Sequence, residues 1–184
     1  MSGNGTLTER FGAVTISIET RDVVRQMARQ ALQDDEPIFI GTAAKEALPR
    51  IGEYWPSQGG IYCGRLIDEQ DRAYALIVAR RAEGEFSKVN WSAAGQRCAA
   101  LSVGDFTHWS LPNRMEALAM FQRLHPVVKD TDEAFATDYV YWTSEQLASA
   151  GDSAWYQNFD YGGQYGYRKD DYTRARAVRR VVLS

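Results

Sequence analysis

Residues 13–19 (AVTISIE) alternate apolar and polar positions and are rich in β-branched side chains, which predicts a short strand. Thr20 stands where a helix N-cap belongs. Behind it Val23, Val24, Met27, Ala28 and Ala31 recur at helical spacing, with Arg21, Arg25, Arg29 and Gln30 on the other face, which predicts an amphipathic helix over 21–33. Asp34–Glu36 end it, 37–40 reads as a brief strand and 41–50 as a connection with one helical turn. From Ile51 the pattern changes. Gly60–Ile67 and 73–79 are apolar runs around a polar turn at 68–72, the signature of a hairpin. A helix is predicted from Asn90 or Ser92 to about Leu101, with Trp91, Ala94, Cys98 and Leu101 on one stripe and Gly95 as its weak point. A turn-rich loop, GDFTHWSLPN, leads to a second helix over Arg114–Leu124, carrying Met115, Leu118, Ala119 and Phe121. After an irregular stretch at 127–135, strands are predicted at 139–144, 154–159 and 174–182. The run YGGQYGY between the last two reads as an aromatic loop or hairpin.

The 184 residues suffice for one main domain, and a soft boundary near residue 50 separates an N-terminal strand–helix appendage, 1–50, from a body at 51–184. With 45% hydrophobic and 24% charged residues, the chain has material for a core and lacks the composition of a disordered segment. The aromatics are unevenly placed: two in residues 1–50, eleven of twenty-two in residues 135–184. A formal charge of −3 argues against a broadly basic nucleic-acid surface. Cys63 and Cys98 fit one disulfide or two buried thiols, and no CxxC or Cys/His cluster provides zinc ligands. The first twenty residues lack a basic stretch followed by an apolar run, and nowhere do eighteen apolar residues follow one another, so neither a signal peptide nor a membrane span is predicted.

Catalytic constellations are thinly supplied. Asp105, His108, Ser110, Ser144 and Glu145 are the residue types of a hydrolase, yet no Gly-x-Ser-x-Gly elbow surrounds either serine, and His125 before Pro126 reads as a helix-end group. Asp34/Asp35, Asp152/Asp160 and Asp170/Asp171 read as solvated turns without an EF-hand loop, and the glycines form no phosphate-binding fingerprint, so no metal and no cofactor is expected. A recognition surface has better support. Tyr161, Tyr165, Tyr167 and Tyr172 lie among glycines and near Arg168, Lys169, Arg174, Arg176, Arg179 and Arg180, and residues 151–184 carry +2 while the remainder carries −5. Flat rings beside cationic donors suit an acidic glycan, a carboxylate-bearing surface or a protein partner. The same groups also suit folding, with rings buried in hairpins and arginines of a final strand paired to Asp160, Asp170 and Asp171. Single-stranded nucleic acid could use these ingredients too, but no RRM or KH signature accompanies them.

An ordered set of fragments carries a family resemblance: Trp91, Ala94 and Cys98; Trp109-Ser110-Leu111-Pro112-Asn113-Arg114 with Glu116; Tyr141-Trp142-Thr143-Ser144-Glu145; Ala154-Trp155-Tyr156-Gln157-Asn158-Phe159; and Arg176-Ala177-Val178-Arg179. In this order they resemble the DUF1566 family, also described as the C-terminal domain of the Legionella collagen-like adhesin, over roughly 51–182. The chain departs from that pattern at Asp105–Ser110, where members often carry a compact Asp-Trp-Arg, so the roles of that acid and arginine do not transfer to these positions.

The resemblance implies an α+β, C-type-lectin-like domain of short antiparallel strands and two helices, used for binding rather than catalysis. It further implies that Trp91, Cys98, Trp109, Leu111, Pro112, Trp142, Glu145, Trp155, Asn158, Phe159, Arg176 and Arg179 build the core or fix loops. Tyr161, Tyr165, Tyr167, Arg168 and Lys169 are then the candidate ligand-binding residues, because they occupy the most permissive connection. The expected protein is a phage- or prophage-associated recognition module for a host surface glycan or protein, such as a tail component. It is expected in the virion or in the producing cell's cytoplasm before assembly, as a homo-oligomer with a trimer favoured, without specific nucleic acid or membrane insertion. A virion assembly or decoration protein and a polymer-modifying enzyme are the alternatives.

Overall fold

A computed structural model describes residues 6–11, 14–19 and 47–183. The chain divides into two compact units, residues 1–47 and 48–184. In the first, Thr6–Phe11 (β1) and Val14–Glu19 (β2) form an antiparallel hairpin with Thr6 opposite Glu19 and Phe11 opposite Val14. The second strand is the one predicted at 13–19; the first is additional. The Thr20 cap, the helix over 21–33 and the strand at 37–40 lie outside the described residues.

The second unit begins its regular structure with Tyr54–Trp55 (β3), Gly60–Ile67 (β4) and Ala73–Val78 (β5). One helical turn, Arg81–Gly84 (α1), leads into Glu85–Val89 (β6), and Trp91–Ala100 (α2) follows. Arg114–Ala119 (α3) continues through a wide π turn at Met120–Leu124 into His125–Val128 (α4). The remaining strands are Val140–Leu147 (β7), Ala150–Asn158 (β8), Gln164–Arg168 (β9), Thr173–Arg176 (β10) and Val178–Val182 (β11). They make a curled antiparallel sheet of order β11-β5-β4-β3 and a second sheet of order β6-β10-β7-β8-β9, mixed because β10 runs parallel to β7. This is the α+β, C-type-lectin-like architecture expected from the sequence.

Strand β5 explains why the core has two layers. Ala75 and Ile77 enter one cluster with Trp55, Trp109 and Trp142, while Tyr74, Leu76 and Val78 enter another with Met120, Leu124 and Phe159. Successive side chains of a strand point to opposite faces, so a strand covered on both sides reads as the unbroken apolar run AYALIV. The two cysteines fall one in each layer, Cys63 and Cys98, and both are free thiols. Asn90 caps α2 by accepting the Ala93 N–H at 2.9 Å, and Asn113 and Glu116 close a reciprocal capping box on α3.

Several expectations need correction. The helix predicted to end at Leu124 runs on to Val128, and its turn widens ahead of Pro126, whose ring has no N–H to give back to the preceding turn. The single strand predicted over 174–182 breaks at Ala177, which carries the chain from one sheet to the other; its N–H reaches Gly84 and its carbonyl takes the Ala79 N–H. Nor do the arginines of β10 and β11 pair with Asp160, Asp170 or Asp171. Arg174 pairs with Glu85, Arg176 with Glu85 and Glu133, and Arg180 with Glu116, because β10 and β11 turn away from the tyrosine hairpin into the body of the fold.

Candidate functional site

The tyrosine run is a hairpin. Its β9 pairs with β8 in a register that sets Tyr165 opposite Tyr156, which in turn stands opposite Trp142 on β7. These three share one face of the sheet, and Tyr167 joins them, its ring 4.7 Å from Tyr156 and 6.4 Å from Trp142. Trp142 is fully buried and Tyr156 nearly so, whereas Tyr165 and Tyr167 at the sheet's edge keep 54% and 42% of their surface in water. The exposed rings therefore stand on buried ones.

Tyr161, 61% exposed, reaches the group through the turn before β9. The Asn158 side chain accepts the N–H groups of Asp160 and Tyr161 at 2.7 and 3.2 Å, and Gly162 completes the turn at φ +80°. A Cβ on Gly163 would lie 2.6 Å from a ring carbon of both Tyr161 and Tyr165, so the missing side chain is what lets two rings flank the backbone. Burial, followed by the neighbouring Tyr161, Tyr167 and Tyr165, pushes the Tyr156 phenol above its ordinary pKa.

The two candidate cations are placed differently. Arg168 alternates to the opposite face of β9, where its guanidinium bonds Asp170 at 3.1 and 3.3 Å and its own N–H reaches the Asp171 carboxylate. Lys169 donates to the Gln146 side chain and the Gly151 carbonyl at 2.5 and 2.8 Å and lies 4.5 Å from the centre of the Trp91 ring. It ties the start of α2 to the β7–β8 turn. Three of the five candidates thus share one surface, and the two cations already have partners.

The motif residues form a frame around this hairpin. Trp91 donates its indole N–H to the Thr143 carbonyl, Trp109 to Phe106 and Trp142 to Val89, so each large ring is pinned at its polar end. Leu111 and Pro112 are buried, and the Pro112 carbonyl accepts the Ser144 N–H at 2.8 Å. Glu145 accepts the Arg114 N–H, and the Arg114 guanidinium lies 3.8 Å over the half-buried Trp155 ring. Phe159 stacks on Phe135 at 4.1 Å. Arg176 is buried, and burial lowers its pKa against the opposing pull of Glu85 and Glu133. Arg179 bonds the Gln58 carbonyl and side chain and lies over the rings of Phe106 and Trp109. Burial pushes the Cys98 thiol up to about 12.

Hydrolase chemistry finds no constellation in these residues. His108 is exposed in a left-handed turn at φ +64°, its Nδ1 bonded to the adjacent Thr107 hydroxyl, while Glu145 is engaged with Arg114. His125 packs among Phe121, Phe135 and Phe159, where burial lowers its pKa. Among the described residues no three His, Cys, Asp or Glu side chains gather closely enough to hold a metal ion. The sequence assigns Gln164 no role and names Tyr156 only within a family fragment; their register opposite Gln157 and Tyr165 identifies them.

Residues 68–179 match the family model described as the Lcl C-terminal domain. No curated protein matches the chain.

Proposed function

Because the chain belongs to the family of the C-terminal domain of the Legionella collagen-like adhesin, a non-enzymatic binding module, we propose that its exposed tyrosines are its recognition surface. The partner is a host surface glycan or protein. The module acts on a phage or prophage particle, resident in the virion or in the producing cell's cytoplasm before assembly. Residues 1–50 gather its copies, a trimer being the favoured number, so that weak individual contacts add through avidity.

The observation that carries this reading is the grouping of Tyr161, Tyr165 and Tyr167 around the buried Tyr156 at the free edge of the sheet. A tyrosine offers a flat apolar face and a polar rim while losing little side-chain freedom on binding. Rings already held by neighbours lose still less. No helix among the described residues is long and apolar enough to cross a membrane.

The test is to screen the full chain against glycan arrays and host surfaces, then repeat the screen with the Tyr165→Ser/Tyr167→Ser double variant. Binding should weaken at least tenfold, about 1.4 kcal/mol, while the thermal midpoint stays close to that of the parent. Unchanged binding by a folded variant would move recognition elsewhere. A fixed oligomer that answers to no host surface would make the protein an assembly component.

A further inference from the structure

Strand β9 ends the five-stranded sheet, and no strand lies beyond it among the described residues. The bonds at the two ends of its hairpin fix which way its backbone points. Asn158 donates its N–H to the Gly163 carbonyl and Lys169 to the Asp152 carbonyl, at 2.9 and 2.8 Å. In the register that sets Tyr165 opposite Tyr156, the N–H and C=O of Tyr165 and Tyr167 therefore face β8, and those of Gln164, Gly166 and Arg168 face outward. Arg168 is already closed off: its N–H reaches the Asp171 carboxylate at 3.2 Å and its carbonyl takes the Asp171 N–H at 3.0 Å. The Gln164 side chain is engaged with Arg114 and Gln157, but its backbone is not. Gln164 and Gly166 thus hold out two N–H and two C=O groups with no partner among the described residues.

Edge strands are normally kept from pairing by charge, proline or a bulge. From Tyr161 to Tyr167 this edge has none of the three: the run is Tyr-Gly-Gly-Gln-Tyr-Gly-Tyr, and β9 follows β8 without a register shift. Its order is also complementary to its own reverse. A two-fold axis beside Tyr165 sets Gln164 of one copy opposite Gly166 of the other, and the converse, so that all the free groups close into four N–H···O bonds. An axis at Gly166 would face Gln164 with the closed-off Arg168, and one at Gln164 would face Gly166 with the turn at Gly162. In the Tyr165 register Gln164 meets Gly166, Tyr167 meets Gly163 and Tyr165 meets its own counterpart, so large side chains face bare backbone and no like charges oppose one another.

We propose that this edge pairs with the same edge of a second copy, joining two five-stranded sheets into one. The axis stands perpendicular to the sheet, so Tyr161, Tyr165 and Tyr167 of both copies line one surface. About half of each of these rings is exposed, which at roughly 200 Å² a ring comes to about 600 Å² for the pair, short of the ~1,200 Å² of a stable interface. The pairing is therefore reversible and follows concentration. It is a contact separate from the gathering proposed for residues 1–50, and it doubles the tyrosine surface whatever that surface recognises.

The experiment is sedimentation equilibrium of the full chain, with amide exchange as a second reading. The parent's mass should rise with concentration across the micromolar range, and the Gln164 and Gly166 amides should exchange at least tenfold more slowly at the high end than at the low. Tyr165→Lys and Tyr165→Glu each oppose like charges at the axis and should sediment at a lower mass than the parent, whereas a one-to-one mixture of the two should recover it. Should the charged variants unfold, Tyr165→Cys reads the same register: Cα atoms about 4.5 Å apart across the axis are within disulfide reach, and mild oxidation should link the copies in pairs. Tyr167→Cys, whose copies lie about 13 Å apart along the strands, should stay unlinked, as should the parent, whose Cys63 and Cys98 are buried. Unchanged mass in the folded charged variants, a mixture that stays apart, amides indifferent to concentration, or Tyr167→Cys linking as readily as Tyr165→Cys would overturn the pairing. An oligomeric parent with any of these results would place its assembly on residues 1–50 alone and leave the recognition reading in force.

Discussion

Glu116 is a carboxylate from which water is wholly excluded, and its neighbours account for its tolerance there. It accepts from the Asn113 N–H at 2.8 Å, the Tyr74 hydroxyl at 3.0 Å and two nitrogens of Arg180. Buried ion pairs contribute modestly as pairs but are costly to break from one side. Glu116→Gln should therefore lower stability by about 3 kcal/mol, toward the small end of the range for a broken buried pair because Arg180 can turn to water. A urea titration reads this as a lower midpoint with an unchanged slope. Arg168 and Asp170 make a pair of similar chemistry on the surface, and Arg168→Gln should leave the midpoint where it was. The contrast separates the two uses of charge in the chain: Glu116 holds α3 to β11, whereas the Arg168 pair only decorates a turn.

At the scale of elements, the hairpin that presents the tyrosines depends on a turn closed by one side chain. Asn158→Ala removes the acceptor for two N–H groups and should cost about 1 kcal/mol. The amides of Asp160 and Tyr161 should then exchange with solvent faster, whereas Asn158→Asp, which keeps an acceptor, should protect them; protected amides in the alanine variant would contradict this role. The β4–β5 hairpin was legible in the sequence because two apolar runs flank a polar turn there, and α2 and α3 were legible from their apolar stripes, α2 also from Asn90 at its start. Strand β6 was not, because Lys88 at φ +52° and a register shift opposite β10 interrupt its alternation. Strand β9 was hidden for a different reason: Gln-Tyr-Gly-Tyr-Arg lacks the β-branched residues that advertise a strand, and its partner β8 supplies the pairing. The exposed tyrosines could be named from composition, but which of them share a face depends on the register with Tyr156. The setting of Arg114 was invisible for the same reason, since Gln164 lies fifty residues away in the chain.

Across the whole molecule, burial of ionisable groups sets how stability answers to pH. Burial pushes the thiols of Cys63 and Cys98 up to about 12 from an ordinary value of 9.0, and it heads the causes that raise Tyr74 to about 12. For such groups the unfolded chain gives up its proton first. Their contribution is complete below pH 9 and is lost as the pH climbs toward 12. The His125 shift has the opposite direction, lowered by burial and then by Lys129, so its contribution is present above 6.5 and declines as the pH falls. Unfolding midpoints in urea should be highest between about pH 7 and 8.5 and fall on both sides. A flat profile to pH 10.5 would contradict closed packing around the two cysteines.

The passage of the chain through Ala177 bears on the order in which the protein is made. Strand β10 lies between β6 and β7 inside the five-stranded sheet, although it follows both in the chain, and β11 then closes one side of the other sheet against β5. While a ribosome has delivered only as far as residue 172, one sheet has a gap in its interior and the other an uncovered flank. Neither layer can close until the same ten residues emerge. The domain therefore folds late in its own synthesis, with both halves of its core completed by one short stretch of chain.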